Sequence, residues 1–323
     1  YGMDGSRTPR SEMVSRLAKW ATAPEQSPLW AARPIRGEIG IVVVPESQLY
    51  CYAQQGNSDL YARSVRGAYQ GFFENNIQAD WVHPSDIDQY RLLYLPFPIM
   101  LDAATAGLLK GWVAAGGTLI AEGCPGYFGD RGRVGTVQPN LGLDEVFGAR
   151  ESYVEFTPDL LDDLNCTIDG LTVRGGGFFQ TYVTRGGTAV GWYADGAIAA
   201  VDHHFGRGHA RLIGTFPGLG YSRQPTADSR RFFGGLLEFG GQQRQVRLDE
   251  PGVAARLHAS GEATYLWVIN HNREARRVEL EIASAVGEIQ STTVVWGDGE
   301  PVAQDQRLSL SVGGRDATIV RLR

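Results

Sequence analysis

The chain has 323 residues, of which 43% are hydrophobic and 20% charged, with a net charge of -6. That balance excludes a disordered chain, and the negative charge argues against a dedicated nucleic-acid binder, which carries a basic face or a high pI. At about 100–200 residues per domain the length predicts two domains or three, with a core large enough to need no staples. Its 42 glycines and 15 prolines favour many tight turns over a helical bundle. The three cysteines, Cys51, Cys124 and Cys166, are far apart and odd in number. They write neither a disulfide framework nor a CxxC metal site, and a reducing cytoplasm fits them. No apolar run reaches the roughly 18 residues that span a bilayer, and no signal peptide is legible.

Residues 8–23 (TPRSEMVSRLAKWATA) predict a helix, with Pro9 in its first turn and Met13, Leu17 and Trp20 at helical spacing. Its apolar stripe has no partner in the local sequence, which predicts packing on something upstream. Residues 24–38 carry three prolines and read as a linker crossing the surface. The run IGIVVV at 39–44 is a buried strand of the kind found in parallel sheets covered on both faces. A helix follows over 59–75, a short strand over 79–82, a loop with DIDQY, and a second buried strand over 91–96. A helix over 102–115 has Asp102 as N-cap and Gly116-Gly117 as its stop, and a third buried strand spans 118–122. Strand and helix alternate with short connections, which predicts a doubly wound α/β sheet with right-handed crossovers.

Beyond residue 150 the pattern turns to strands: FFQTYV, AVGWYA, AIAAVDHHF and HARLIGTF, the last two joined by a Gly206-Arg207-Gly208 hairpin. Residues 228–239 return to helical spacing and cover the sheet. After about residue 246 the segments ATYLWVINH, RRVELEI, STTVVWG, RLSLSV and DATIVRLR read as a small all-β sandwich.

Five pieces in this order resemble the C-terminal half of the family 42 glycoside hydrolases, retaining β-galactosidases: DGSRTPRSEMVSRLAKWA, YRLLYLPFPIMLD, WVAAGGTLIAEG, GRGHARLIGTF and YLWVINHNREARRVEL. In that family a TIM barrel precedes a trimerisation domain and a C-terminal β domain. The resemblance implies three parts here. Residues 1–37 are the last helix of a missing barrel and a linker, 38–245 a trimerisation-like α/β domain, and 246–323 the β-sandwich. A start at Tyr1 fits that expectation. The resemblance also implies a homotrimer that packs against the missing barrel, with a galactoside near the interface and no nucleic acid or membrane partner. A retaining glycosidase needs two carboxylates about 5–5.5 Å apart, placed in a TIM barrel on strand-end loops. Residues 1–23 hold only a final barrel helix, so no residue is assigned a catalytic, cofactor-binding or metal role.

By the same resemblance the trimerisation domain shares its fold with class I glutamine amidotransferases, and a degenerate amidotransferase is a rival reading. Cys124, in Gly123-Cys124-Pro125-Gly126, sits where those enzymes place their nucleophile. The usual His-Pro-Glu is here Phe216-Pro217-Gly218, and Pro125 removes an oxyanion-hole N–H. A second rival is a standalone saccharide-binding or scaffold module using the 124–133 loop. There Tyr127, Phe128, Asp130, Arg131 and Arg133 suit a sugar or a protein surface, beyond the carboxyl ends of the strands where open α/β sheets bind ligands. His203, His204 and His209 flank the hairpin; His203 and His204 are strand neighbours pointing to opposite faces, and a pairing of His204 with His209 has no third ligand indicated, so a solvated hairpin end is the expected reading. Gly175-Gly176-Gly177 lacks a following helix and is not a phosphate loop. Asp162-Asp163 reads as a solvated acidic turn. Trp192, Tyr193 and Trp267 read as core, and Trp296, beside Gly297-Asp298-Gly299, as core or as an exposed sugar-stacking ring.

Overall fold

Helix α1 (Pro9–Thr22) is set by its cap. The Ser11 amide donates to the Thr8 hydroxyl, the Thr8 amide donates to the Ser11 hydroxyl, and Pro9 fills the first turn. The computed structural model to which it belongs describes residues 1–156, 164–261 and 263–323. Two units emerge, Arg36–Arg244 and a second that joins Tyr1–Ile35 to Gln245–Arg323.

The stretch predicted as a surface linker is structured. A short turn leads into α2 (Ser27–Ala31), and β1 (Arg33–Pro34) pairs with residues 258–259. One residue of the first helix's apolar stripe has a partner inside the chain. Trp20 donates its indole N–H to the Val295 carbonyl at 3.0 Å, and its ring lies 4.7 Å from that of Trp296. Met13, Val14 and Leu17 remain exposed on α1.

The Arg36–Arg244 unit runs β2 (Ile39–Val42), α3 (Pro45–Gln55), α4 (Asp59–Phe73), β3 (Ala79–Val82), β4 (Leu92–Leu95), α5 (Ala103–Ala114) and β5 (Thr118–Ala121). It continues with α6 (Leu143–Phe147), β6 (Ala149–Glu155), β7 (Asn165–Ile168), β8 (Leu171–Arg174), β9 (Phe179–Thr184), β10 (Thr188–Trp192), β11 (Ile198–Phe205), β12 (Gly208–Ile213), α7 (Pro217–Arg223) and α8 (Ala227–Phe239). The sheet order is β3-β2-β4-β5-β12-β11-β10-β7-β8; the first five strands are parallel and the rest antiparallel. Alternate strand residues feed two cores. Ile41, Tyr94 and Ile120 pack with Phe72 of α4 and Phe233 of α8. Val42, Leu93 and Leu119 pack with Leu109 of α5 and Phe147 of α6. Helices thus cover both faces, as the unbroken apolar runs require.

The second unit adds β13 (Val246–Arg247), β14 (Val253–Ala259), β15 (Thr264–Asn270), β16 (Arg276–Ile282), β17 (Thr292–Trp296), β18 (Val302–Gln304), β19 (Arg307–Val312) and β20 (Asp316–Leu322). They form two antiparallel sheets, β1-β14-β15-β20-β17 and β13-β16-β19-β18. Leu257, Leu266 and Val320 of the first share one core with Val278, Leu280 and Leu310 of the second.

Candidate functional site

In a parallel sheet of this order, the chain reverses its direction of winding between β2 and β4. The crevice beyond the carboxyl ends of those strands is the usual ligand site. Here it is lined by the segments that leave β2, β4, β5 and β12. Two of them carry, within three residues of the strand end, a side-chain-bearing residue in the left-handed region, Phe97 at φ 47° and Cys124 at φ 57°. Such strain persists only where surrounding contacts fix it.

At the head of the crevice lies Glu122, which is fully buried. One carboxylate oxygen accepts the Tyr94 hydroxyl at 2.8 Å and the Gly218 amide at 2.7 Å. The other accepts the Ser64 hydroxyl at 2.8 Å and the Phe97 amide at 2.9 Å. Burial pushes its pKa up to about 7, against the lowering effect of those four donors. Close helix packing makes the arrangement possible. A Cβ on Gly67 of α4 would lie 1.9 Å from the Gly218 carbonyl oxygen, so glycine lets α4 and the head of α7 meet over the carboxylate.

Next to it, the Cys124 amide donates to Gln180 Oε1 at 2.8 Å. That oxygen also accepts the Tyr182 hydroxyl at 2.6 Å, while Gln180 Nε2 donates to Glu151 Oε2 at 2.7 Å. Burial, and then the negative Glu151, raise the Cys124 thiol well above its ordinary value. A nucleophilic cysteine needs the opposite surroundings, a positive or basic neighbour. The stretch Phe216-Pro217-Gly218 packs into the crevice. Phe216 is fully buried, 4.8 Å from the Phe97 ring and 5.4 Å from the Phe178 ring. Pro217 starts α7, and Gly218 gives its amide to Glu122. The chain's own side chains therefore fill the crevice.

The loop after Cys124 divides into two parts. Phe128 stacks on Tyr50 at 4.4 Å, whereas Asp130, Arg131 and Arg133 are exposed and line a surface hollow of about 720 Å³ with Asn140 and Leu141. His204 and His209 are cross-strand partners with rings stacked at 4.4 Å, and His203 Nδ1 lies 3.0 Å from the Val146 carbonyl oxygen. Among the described residues no three His, Cys, Asp or Glu side chains are grouped to hold a metal ion. Nor is any described helix long and apolar enough to cross a membrane. Gly176 donates to the Thr215 hydroxyl at 3.0 Å, and a Cβ on Gly175 would lie 2.2 Å from that oxygen, so the glycine run serves packing.

Tyr193 is buried, with its hydroxyl on the Gly214 carbonyl, but Trp192 is 45% exposed and is not core. Trp296 packs on Trp20 rather than standing free on its turn. Asp162-Asp163 lies outside the described residues. Composition and motif reading missed Glu122, Gln180 and the buried Arg211, which is held by Asp202 at 2.7 Å and Asp169 at 2.6 Å. The one signal for Glu122 was a charge closing the otherwise apolar strand TLIAE.

The fold is an α/β sheet whose crevice is occupied by the chain's own Phe97, Phe178 and Phe216. Residues 18–237 match the β-galactosidase trimerisation domain of glycoside hydrolase family 42, and the chain belongs to that family. Among curated relatives it is 24% identical over 233 residues to β-galactosidase LacZ of Heyndrickxia coagulans, covering 68% of this chain and 32% of that protein. It is 27% identical over 228 residues to β-galactosidase BgaB of Geobacillus sp. (strain Y412MC61), covering 67% and 32%. The chain thus spans about a third of the length of the curated relatives it matches. Its fold is similar to that of the β-galactosidase from Bacillus circulans sp. alkalophilus, with a TM-score of 0.73 at 17% identity over 100% of this chain and 46% of that one. The cold-adapted β-galactosidase from Rahnella sp. R3 gives a TM-score of 0.74 at 18% identity over 97% and 44%.

Proposed function

We propose that this chain is the non-catalytic oligomerisation and C-terminal portion of a retaining β-galactosidase that, when complete, hydrolyses terminal β-D-galactosides in the cytoplasm. The observation that carries the reading is the family match over residues 18–237, which falls on a sheet whose ligand crevice is packed with the chain's own side chains. Residues 1–37 are read as the last barrel helix and linker, 38–245 as the trimerisation domain, and 246–323 as a β-sandwich. The order of the five parallel strands, and the left-handed Cys124 after β5, support a class I glutamine amidotransferase-like sheet that has lost its chemistry. A closed three-fold ring requires two different patches on each subunit. The exposed Asp130, Arg131 and Arg133 support loop 126–133 as one of them, near a neighbour's barrel and its galactoside. Assembly and access, rather than bond cleavage, are then this chain's contribution. Light scattering on the pure chain, run beside a p-nitrophenyl β-galactoside assay, tests the reading. Three copies and no release of p-nitrophenol are expected; release blocked by a galactose-like inhibitor, or a single copy even when a barrel is joined to the chain, overturns it.

A further inference from the structure

Among the described residues no cation is bonded to Glu122. Each of its four hydrogen-bond partners is a neutral donor, two hydroxyls and two backbone amides. The surrounding elements hold their other titratable groups elsewhere. On α4, Tyr61 is engaged with the Val44 amide and Arg63 and Arg66 are exposed. On α7, Tyr221 donates to Glu74 and Arg223 is half-buried, and on β4 the titratable group facing the carboxyl is Tyr94 itself. Cys124, on the carboxyl's own strand exit, is buried. A buried carboxylate held only by dipoles is stable against water when neutral and costly when ionised.

We propose that Glu122 is a proton-controlled latch on the seam where α4, the turn at Phe97 and the head of α7 meet. Protonated, the carboxyl stays buried by turning one hydroxyl, Ser64 or Tyr94, from donor to acceptor. Ionised, it favours an opening of the seam that lets water reach the charge. All five groups belong to one chain.

The sign follows from linkage. In the closed seam burial pushes the carboxyl up to about 7, against 4.5 for a solvated glutamate. Between those values each pH unit favours opening about tenfold, and above the upper value the effect levels off. Hydrogen exchange of the full chain at pH 5–8.5 reads this out in peptides covering Phe97 and Gly218, after correction for the intrinsic pH dependence of exchange. Protection is expected to fall about tenfold per pH unit and to level off near pH 7. In Glu122→Gln, which cannot ionise, the corrected protection is expected to be flat. Should that variant not fold, Tyr94→Phe carries the test. Removing one donor to the ionised form moves the levelling-off point upward by about one pH unit. Flat protection in the unsubstituted chain, the same fall in Glu122→Gln, or an unmoved point in Tyr94→Phe overturns the latch.

Discussion

The Cys124 amide donates to Gln180 Oε1 at 2.8 Å, and that bond holds a cysteine at φ 57° in the exit from a parallel strand. Its surroundings are the reverse of those that activate a thiol. Burial and Glu151 both hold the proton on sulfur. All three cysteines are buried. Native chain mixed with a thiol reagent at neutral pH is therefore expected to show no fast-reacting thiol, and all three are expected to react after denaturation. A rapid phase in the native state that disappears in Cys124→Ala would contradict this account.

Glycines in this chain do two opposite jobs, and alanine substitution separates them. At Gly67 a Cβ would lie 1.9 Å from the Gly218 carbonyl oxygen, whereas at Gly107 and Gly111 of α5 a Cβ would meet nothing within 4 Å. A helix gains up to about 1 kcal/mol from Gly→Ala, but overpacking costs roughly 1–3 kcal/mol. Denaturant unfolding is expected to show Gly67→Ala destabilised and Gly107→Ala and Gly111→Ala stabilised by about 0.5–1 kcal/mol each. Equal effects at the three sites would mean that α4 and α7 do not meet as closely as described.

Arg211 is buried and paired in register with Asp202 across β11 and β12, with Asp169 on its other side and the Phe239 ring 4.2 Å from its guanidinium carbon. Removing one partner of a buried pair costs about 3–5 kcal/mol, because the remaining charge is stranded. Asp169 is half-exposed, which places Arg211→Met toward the low end of that range. The double variant Arg211→Met/Asp202→Leu removes the stranded charge on Asp202. Its unfolding midpoint is expected to lie above that of Arg211→Met, and a midpoint at or below it would show that the pair is not what holds the hairpin.

Where one physical cause dominated, the sequence was sufficient. β2, β4 and β5 are buried on both faces, so each leaves an unbroken apolar run. Asp102 marks its helix because its side chain accepts the Thr105 amide. α3 left no such trace: of its residues only Ser47 and Cys51 are buried, so PESQLYCYAQQ carries no apolar stripe. α7 is seven residues long with two glycines, and reads as a turn until α4 is seen against it. β14 (VAARLHA) alternates too weakly to stand out, although it pairs along its whole length with β15. Glu122 was illegible for a different reason. Its donors come from positions 64, 94, 97 and 218, and no periodicity relates them.

The fate of the N-terminal helix is the same lesson at larger scale. Local sequence offers Trp20 no partner, yet its ring sits between Trp30, at 5.7 Å, and Trp296, at 4.7 Å, and its N–H is bonded to Val295. Trp30 in turn lies 6.4 Å from Trp267, so four tryptophans share one cluster. Fully buried Trp→Ala changes cost about 3–5 kcal/mol; Trp20 is half-buried, so Trp20→Ala is expected to cost about 2 kcal/mol. Trp20→Phe keeps most of the ring contact and loses the hydrogen bond, for about 1 kcal/mol. Thermal unfolding followed by tryptophan fluorescence orders the three chains: unsubstituted, then Trp20→Phe, then Trp20→Ala. An unchanged midpoint in Trp20→Ala would mean that α1 is not held by the C-terminal strands.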